Sequence, residues 1–271
     1  MTTWFSRRGR AKLAARGAAI VAAIVMAFPT PALAAKAASR STSTVGSDIS
    51  WPQCGGAYPS GQAFGIVGVN HGRADDVNTC FVSEMQWAAG SPGKTSQPPV
   101  QIYANTGDPA NTVADWPTSG TNGYGTCSGG YDMACAWEYG HERAAADLSV
   151  VTQDGYNPAA YPWWLDVETT NTWQGGTTLG LQMNIVDIQG MGDTLATAGI
   201  KWGIYSTSYQ WTQITAGDTS TFAGVPNWEP GARTQRGAQS NCTSLSPFTG
   251  GASKIVLTQW TSTYDYDWPC P

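Results

Sequence analysis

The sequence predicts an α/β fold: a single-domain, irregular, TIM-like (β/α) barrel. Apolar runs typical of buried strands alternate with segments of helical periodicity along most of the chain, and this alternation produces parallel strands with right-handed crossovers. About eight strands fit into roughly 235 residues, close to the ~250 residues of a typical closed barrel. An open doubly wound sheet is the alternative, but no convincing phosphate-binding loop is visible.

Residues 1–34 have the layout of a secretory signal peptide. A basic head precedes an apolar segment at 17–28, and Ala32 to Ala34 supply small residues for cleavage near Ala34. A membrane anchor is the alternative, but the apolar segment is shorter than the ~20 residues of a span. Arg7 and Arg8 leave open whether export uses the twin-arginine route. We therefore expect an extracellular protein with a disordered lead-in at 35–47 and a barrel domain at 48–271.

The charge of the exported chain argues against several classes of partner. Removing residues 1–34 takes away five of the 14 basic residues and none of the 19 acidic ones. The remaining net charge of about −10 argues against a nucleic-acid partner, because phosphate binding needs clustered Lys and Arg. We also expect no membrane association after cleavage, and a monomer. Charged residues make up only 12% of the chain and aromatic residues 11%, which favours a secreted protein that handles sugars.

All six cysteines lie in the exported part, which predicts three disulfides in an oxidising compartment. Fifteen pairings are possible in principle. A zinc site is the competing interpretation, but there is no Cys-x-x-Cys spacing and the chain has only two histidines, so we predict no metal and no cofactor. The order of the cysteines along the chain favours pairing Cys54 with Cys80, Cys127 with Cys135, and Cys242 with Cys270.

The strand-like and helix-like segments follow one another in a regular order. A short strand is predicted to begin at Asp48 and to be ended by Pro52. Further strands are predicted at 64–70, 100–105, 161–169, 201–206, 222–229 and 255–260, and helices at 78–90, 136–153, 179–198 and 209–214. A long loop rich in Gly, Thr and Asn is predicted at 107–134. A loop of this length in a compact domain is usually functional or disordered.

The strand at 161–169 carries the most informative pair of residues, Asp166 and Glu168. Side chains alternate along a strand, so these two acids share one face. Their mutual repulsion and their aromatic neighbours raise the proton affinity of at least one of them. Such a pair is typical of acid-catalysed glycoside cleavage. The alternative is a strand end whose acids cap the next loop or meet a basic residue.

In a closed (β/α) barrel, residues at the carboxyl ends of the strands line the active site. Acids and aromatic residues stand at these positions on several predicted strands, and their convergence favours a functional pocket. The candidates are Asp48, Tyr103, Asn105, Asp166, Glu168, Tyr205, Trp228, Gln259, Trp260, Asp265 and Asp267.

Short motifs spread over residues 47–268 resemble the glycoside hydrolase family 25 lysozymes in their order and spacing. The motifs are Asp-Ile-Ser-Trp-Pro-Gln at 48–53, Leu-Asp-Val-Glu at 165–168, Gly-Ile-Tyr-Ser at 203–206, Leu-Thr-Gln-Trp at 257–260 and Tyr-Asp-Tyr-Asp at 264–267. The resemblance implies five strand-helix units followed by three strands. It also implies cleavage of the β-1,4 bond between N-acetylmuramic acid and N-acetylglucosamine in peptidoglycan.

The resemblance also implies roles for individual residues. Glu168 corresponds to the general acid that protonates the leaving oxygen. Asp166 corresponds to the residue that holds a positive charge or positions the substrate's N-acetyl group, and Asp48 completes the acidic cluster. Asp265 or Asp267 matches the acid near the end of the family's barrel.

The sequence departs from the family at the third strand, where Tyr103, Ala104 and Asn105 replace the usual Tyr-His pair. Pro52 and Cys54 also stand where the family has other residues. These departures motivate an alternative, a barrel of the cell surface or secretome that binds glycan without cleaving it. A structural or interaction protein of the cell surface is the third possibility.

Overall fold

The computed structural model describes residues 43–108 and 116–271. The predicted signal peptide and most of the predicted lead-in lie outside the described residues. The first strand begins at Gly46, two residues before the predicted domain boundary. Gly46 and Ser47 are ordered into that strand because they pair with Asp267 and Tyr266 of the last strand.

The chain alternates strands and helices for most of its described length. The first half contains β1 (Gly46–Ile49), a 3₁₀ turn (Trp51–Gln53), β2 (Gly65–Gly68), α1 (Phe81–Ala89), β3 (Val100–Asn105), β4 (Thr121–Asn122), β5 (Gly125–Thr126) and α2 (Met133–Gln153). After a second 3₁₀ turn (Pro158–Ala160), the second half contains β6 (Trp163–Asp166), α3 (Thr178–Thr197), β7 (Trp202–Tyr205), α4 (Ser208–Thr215), β8 (Asn227–Ala232), α5 (Gln235–Ser244), β9 (Ile255–Thr261) and β10 (Asp265–Pro269).

Eight strands close into a barrel in the order β1-β10-β9-β8-β7-β6-β3-β2. Neighbouring strands are parallel except at β10, which runs antiparallel to both β1 and β9. The α/β barrel prediction is therefore confirmed. The five units β2-α1, β3-α2, β6-α3, β7-α4 and β8-α5 pair a strand with a helix, while β1 is followed only by a 3₁₀ turn.

Aromatic side chains fill the barrel interior because small residues on neighbouring strands make room for them. Tyr103 on β3 lies opposite Gly68 on β2, where an added Cβ would lie 2.6 Å from the tyrosine ring. Trp164 on β6 lies opposite Gly203 on β7 in the same way, and a Cβ there would collide with the indole. Together with Trp228 on β8, these rings close the barrel below its carboxyl end.

The helices pack on the outside of the barrel through a continuous apolar core. Met85 of α1, Ala144 of α2 and Ile188 of α3 belong to this core together with strand residues such as Ile102 and Leu165. The N-cap side chains fix where several helices begin. Asp132, Thr177, Thr207 and Thr234 each accept a hydrogen bond from a backbone N–H in the first turn of α2, α3, α4 and α5.

The three predicted disulfides are confirmed. Cys54 pairs with Cys80, Cys127 with Cys135, and Cys242 with Cys270. The first ties the turn after β1 to the start of α1, and the third ties α5 to the end of β10. Along the two described stretches, none of the helices combines the length and the apolar character needed to cross a membrane.

Two elements were missed by the sequence analysis. The helix α5 is polar and buries only Ala238, so it lacks the apolar periodicity that identifies a helix. Part of the predicted long loop forms the hairpin β4-β5, whose strands have two residues each, too few to show alternation. The hairpin packs on α2, where Asn122 donates to the carbonyl of Ala134.

Candidate active site

A cavity of about 140 Å³ opens at the carboxyl end of the barrel. The elements that form it come from both halves of the chain, so the closure of the barrel brings the acids together. Residues predicted from the sequence account for its whole lining. These are Asp48, Tyr103, Asp166, Glu168, Tyr205, Trp228, Gln259 and Asp265.

The end of β6 positions the pair Asp166 and Glu168. Asp166 is the last residue of the strand, and the next N–H, that of Val167, still donates to the carbonyl of Tyr205 at 2.9 Å. Two side chains then fix the loop that follows. Asn171 Nδ2 donates to the carbonyl of Asp166 at 2.9 Å, and Trp173 Nε1 donates to that of Glu168 at 2.8 Å. Both acids therefore reach the cavity from a rigid backbone.

Asp166 is the more deeply placed acid, with 7% of its surface exposed. Burial raises its pKa well above the usual value, and the neighbouring carboxylates of Glu168 and Asp48 raise it further. Asn105 Nδ2 donates to Asp166 Oδ2 at 3.1 Å, which fixes the orientation of the carboxyl group. Asp166 is thus held in place and strongly biased towards its protonated form.

Glu168 is half-buried at the mouth of the cavity. Burial raises its pKa, while a hydrogen bond from Gln210 Nε2 to its Oε1, at 3.4 Å, lowers it in part. Gln210 also fixes the loop, because its Oε1 accepts the N–H of Thr169 at 2.7 Å. A carboxyl group with a raised pKa and access to solvent can donate a proton to a bound substrate.

Asp48 belongs to a hydrogen-bonded chain that crosses the cavity wall. Tyr205 donates its hydroxyl to Gln259 Oε1 at 2.9 Å, and Gln259 Nε2 donates to Asp48 Oδ2 at 2.9 Å. Burial and the nearby charge of Asp265 raise the pKa of Asp48 to about 8, although the bond from Gln259 favours the charged form. The amide of Gln259 thus links a phenol on β7 to an acid on β1.

The strand β10 contributes two acids at different depths. Asp265 lies opposite Asp48 and lines the cavity, whereas Asp267 lies opposite Gln259 and is fully buried. Burial raises the pKa of Asp267 well above its usual value, and the charges of Asp48 and Asp265 raise it further. Because β10 is antiparallel, residues later in the strand lie deeper in the barrel.

Three predicted candidates lie outside the cavity lining. Asp267 is below it, and Asn105 contacts it only through Asp166. Trp260 stacks on Tyr266, with ring centroids 5.4 Å apart. Successive strand residues face opposite ways, so Gln259 and Trp260 do not share the barrel interior.

The contact of Gln210 with Glu168 was not predicted from the sequence. No local sequence pattern identifies a polar helix residue whose side chain reaches the loop after another strand.

The lining carries four carboxyl groups, and no Lys or Arg is among the described residues that form it. In residues 43–108 and 116–271, no set of three or more His, Cys, Asp or Glu side chains is arranged to hold a metal ion. Like charges in a partly desolvated cavity favour protonated carboxyl groups. The arrangement can therefore supply protons, and a carboxyl group that ionises beside a bound molecule can stabilise positive charge that develops on it.

Comparison with known proteins supports this description of the fold. A family model described as lysozyme-like protein 1 (Lys-1) matches residues 148–250, which contain β6 to α5. The bacterial lysozyme of Streptomyces coelicolor matches with a TM-score of 0.52 and 13% identity, covering 84% of this chain and 92% of that one. This likeness shows the fold. No curated protein sequence matches the chain.

Two fungal structures are also similar. A family GH25 lysozyme from Aspergillus fumigatus has 16% identity and a TM-score of 0.49, with 82% of this chain and 91% of that one covered. A muramidase from Trichobolus zukalii has 19% identity and a TM-score of 0.48 over the same shares of the two chains.

Proposed function

We propose that this chain is a secreted glycoside hydrolase that cleaves β-1,4 linkages of peptidoglycan. The observation that carries the proposal is the convergence of Asp48, Asp166, Glu168 and Asp265 on one open cavity. The Asp-x-Glu motif of β6 and the likeness to a bacterial lysozyme fold favour peptidoglycan as the substrate. The three disulfides suit an extracellular location.

Glu168 is the proposed proton donor. Its pKa is raised by burial, so it stays protonated to higher pH than an ordinary glutamate, and the side chain remains partly open to the cavity. Its Oε–H donates to the glycosidic oxygen as the bond from that oxygen to the anomeric carbon breaks. General acid catalysis of this kind typically contributes 10²- to 10⁴-fold, about 3 to 5 kcal/mol.

Asp166 and Asp48 are the proposed assisting groups. Asp166 is positioned by Asn105 and lies beside Glu168, so it can orient the substrate's N-acetyl group or stabilise positive charge at the anomeric carbon. Asp48 lies across the cavity, with its orientation set by Gln259. The proposed sugar contacts come from Tyr103, Tyr205 and Trp228, whose side chains line the same cavity.

A glycan-binding barrel without turnover is the second candidate. The observation that favours it is Asn105, which belongs to the segment that departs from the family's Tyr-His pair and occupies one oxygen of Asp166 with its amide. In a glycan-binding barrel of this kind the cavity binds sugar, but Asp166 is not available to the atoms of the glycosidic bond.

The test uses the protein from residue 35 onwards with purified peptidoglycan and measures newly formed reducing ends. The proposal expects new reducing ends to appear, with N-acetylmuramic acid at the cleaved end. Tight glycan binding without new reducing ends would instead support the binding barrel. The absence of both binding and cleavage would contradict both candidates.

A further inference from the structure

A second cavity of about 140 Å³ lies at the same end of the barrel as the acidic cavity. Three loops and the side chain of Tyr139 on α2 form it, and each loop follows a barrel strand at its carboxyl end. Gly72 to Asp75 come from the loop after β2, Thr106 and Gly107 from the loop after β3, and residues 170–172 from the loop after β6. We call it the rim cavity.

Two asparagines separate the rim cavity from Asp166. Asn171 lines the rim cavity, and its Nδ2 donates to the carbonyls of Asp166 and Thr106 at 2.9 and 3.1 Å. Asn105 Nδ2 donates to Asp166 Oδ2 at 3.1 Å and lies 3.5 Å from Asn171 Oδ1. The acidic cavity and the rim cavity are therefore neighbours along one surface, so one extended ligand can occupy both.

The rim cavity has a different chemistry from the acidic cavity. Its charged groups are Arg73 and Asp75, which form a two-pronged ion pair with contacts of 2.8 and 2.6 Å. The hydrogen bond from Arg73 holds the pKa of Asp75 below its usual value, so the pair stays charged and has no net charge. The Arg73 side chain is 61% exposed, so its N–H groups that do not bond Asp75 are accessible to a ligand.

An exposed aromatic ring borders the rim cavity. Trp51 is 39% exposed, and its indole lies against Gly72, where an added Cβ would be 3.0 Å from Trp51 Nε1. The indole also lies beside His71, with ring centroids 4.4 Å apart. An open ring beside hydroxyl, amide and paired ionic groups is the arrangement that recognises a neutral sugar: the ring packs against its apolar face, and the polar groups bond its hydroxyls.

We propose that the rim cavity binds a further N-acetylated sugar ring of the glycan strand, next to the ring held at the acidic cavity. Arg73 and Asp75 bond its hydroxyl or N-acetyl groups, and Trp51 packs against it. The inference rests on the proposed function, since it names an additional substrate contact. Net neutrality favours a sugar ring over the charged peptide stem that branches from the glycan.

The test is a calorimetric titration of Glu168→Gln, so that ligand is bound and not consumed. The probes are a disaccharide and a tetrasaccharide of alternating N-acetylglucosamine and N-acetylmuramic acid without peptide stems. Adding Arg73→Ala is expected to weaken tetrasaccharide binding about 10-fold, the typical effect of losing bonds to a charged group, with disaccharide binding unchanged. Trp51→Ala is expected to act in the same direction.

Lys254→Ala is the matched control, because this exposed residue directly precedes β9 at the opposite end of the barrel. It should change neither affinity. Equal weakening of both probes by Arg73→Ala, or no weakening, would overturn the inference. An effect that appears only with stem peptides attached would also overturn it, in favour of a peptide site.

The proposed hydrolysis is tested separately. If the tetrasaccharide effect is found but the wild type releases no reducing ends, the rim cavity assignment stands and the proposed hydrolysis fails.

Discussion

Two groups of buried carboxyl groups differ in what surrounds them. Asp48, Asp166 and Glu168 face the cavity at the barrel mouth, while Glu84 and Asp187 lie in the helical layer outside the barrel wall. Burial raises the pKa in both groups: that of Asp48 to about 8 and that of Glu84 to about 7. A raised pKa alone therefore does not identify an active site in this protein.

The two groups of acids differ in the residues that surround them. Glu84 accepts a hydrogen bond from Asn78 Nδ2 at 2.6 Å and has no exposed surface. Asp187 is equally buried; the charge of Asp108 raises its pKa further, and the positive charge of Arg143 partly offsets this rise. The cavity acids instead lie beside one another around open space. The comparison shows that convergence on open space, rather than pKa alone, distinguishes acids that can act on a ligand.

The largest contrast is expected between Asp166→Asn and Asp187→Asn. Both replace a buried acid whose pKa is raised well above its usual value. Asp166→Asn removes a carboxyl group that can ionise when positive charge develops at the reacting atoms, and it should lower kcat about 10²- to 10³-fold, as for other preorganised electrostatic groups. Asp187→Asn should leave kcat at the wild-type value. Equal losses of kcat in the two folded variants would contradict the distinction between the cavity acids and the acids of the helical layer.

A second contrast concerns stability and pH. In the unfolded chain Asp267 ionises near the usual aspartate pKa of 3.8, but in the barrel its raised pKa keeps it protonated to much higher pH. The stability it contributes at pH 4 is therefore lost as pH rises towards the pKa of the folded state. The change that Asp267→Asn makes in the free energy of unfolding should therefore be more favourable at pH 8 than at pH 4. The expected difference between the two changes is about 1 to 3 kcal/mol.

Urea unfolding of Asp267→Asn at the two pH values provides the measurement. A change of the same size at pH 4 and pH 8 would mean that the carboxyl group does not titrate differently in the folded and unfolded states.

The smallest expected effect concerns the tuning of Glu168. Gln210 lowers the pKa of Glu168 through its hydrogen bond, so Gln210→Ala should raise that pKa. The alkaline limb of the pH profile of kcat/KM should then move to higher pH. Gln213→Ala, an exposed position on the same helix, is the control. An alkaline limb displaced to lower pH would contradict the claim that Gln210 lowers the pKa of Glu168.

Much of the barrel could be predicted because its strands are short apolar runs and α3 has a clear helical period. Strand alternation predicted that Asp166 and Glu168 face the same way, and both line the cavity, although β6 ends at Asp166 and Glu168 lies two residues beyond it. The same rule explains why Trp260 is not in the cavity when Gln259 is. Contacts such as Gln210 with Glu168 depend on how separate elements meet, and the polar helix α5 has no apolar stripe, so local patterns do not reveal them.

The most direct test of the central claim compares Glu168→Gln with Glu84→Gln. Each variant replaces a glutamate whose pKa is raised by burial, but only Glu168 lines the cavity. The measurement is the initial rate of reducing-end release from peptidoglycan by both folded variants and the wild type. We predict a loss of 10²- to 10⁴-fold for Glu168→Gln and a wild-type rate for Glu84→Gln. An unchanged rate for Glu168→Gln, or equal losses in both variants, would contradict the claim that Glu168 is the proton donor.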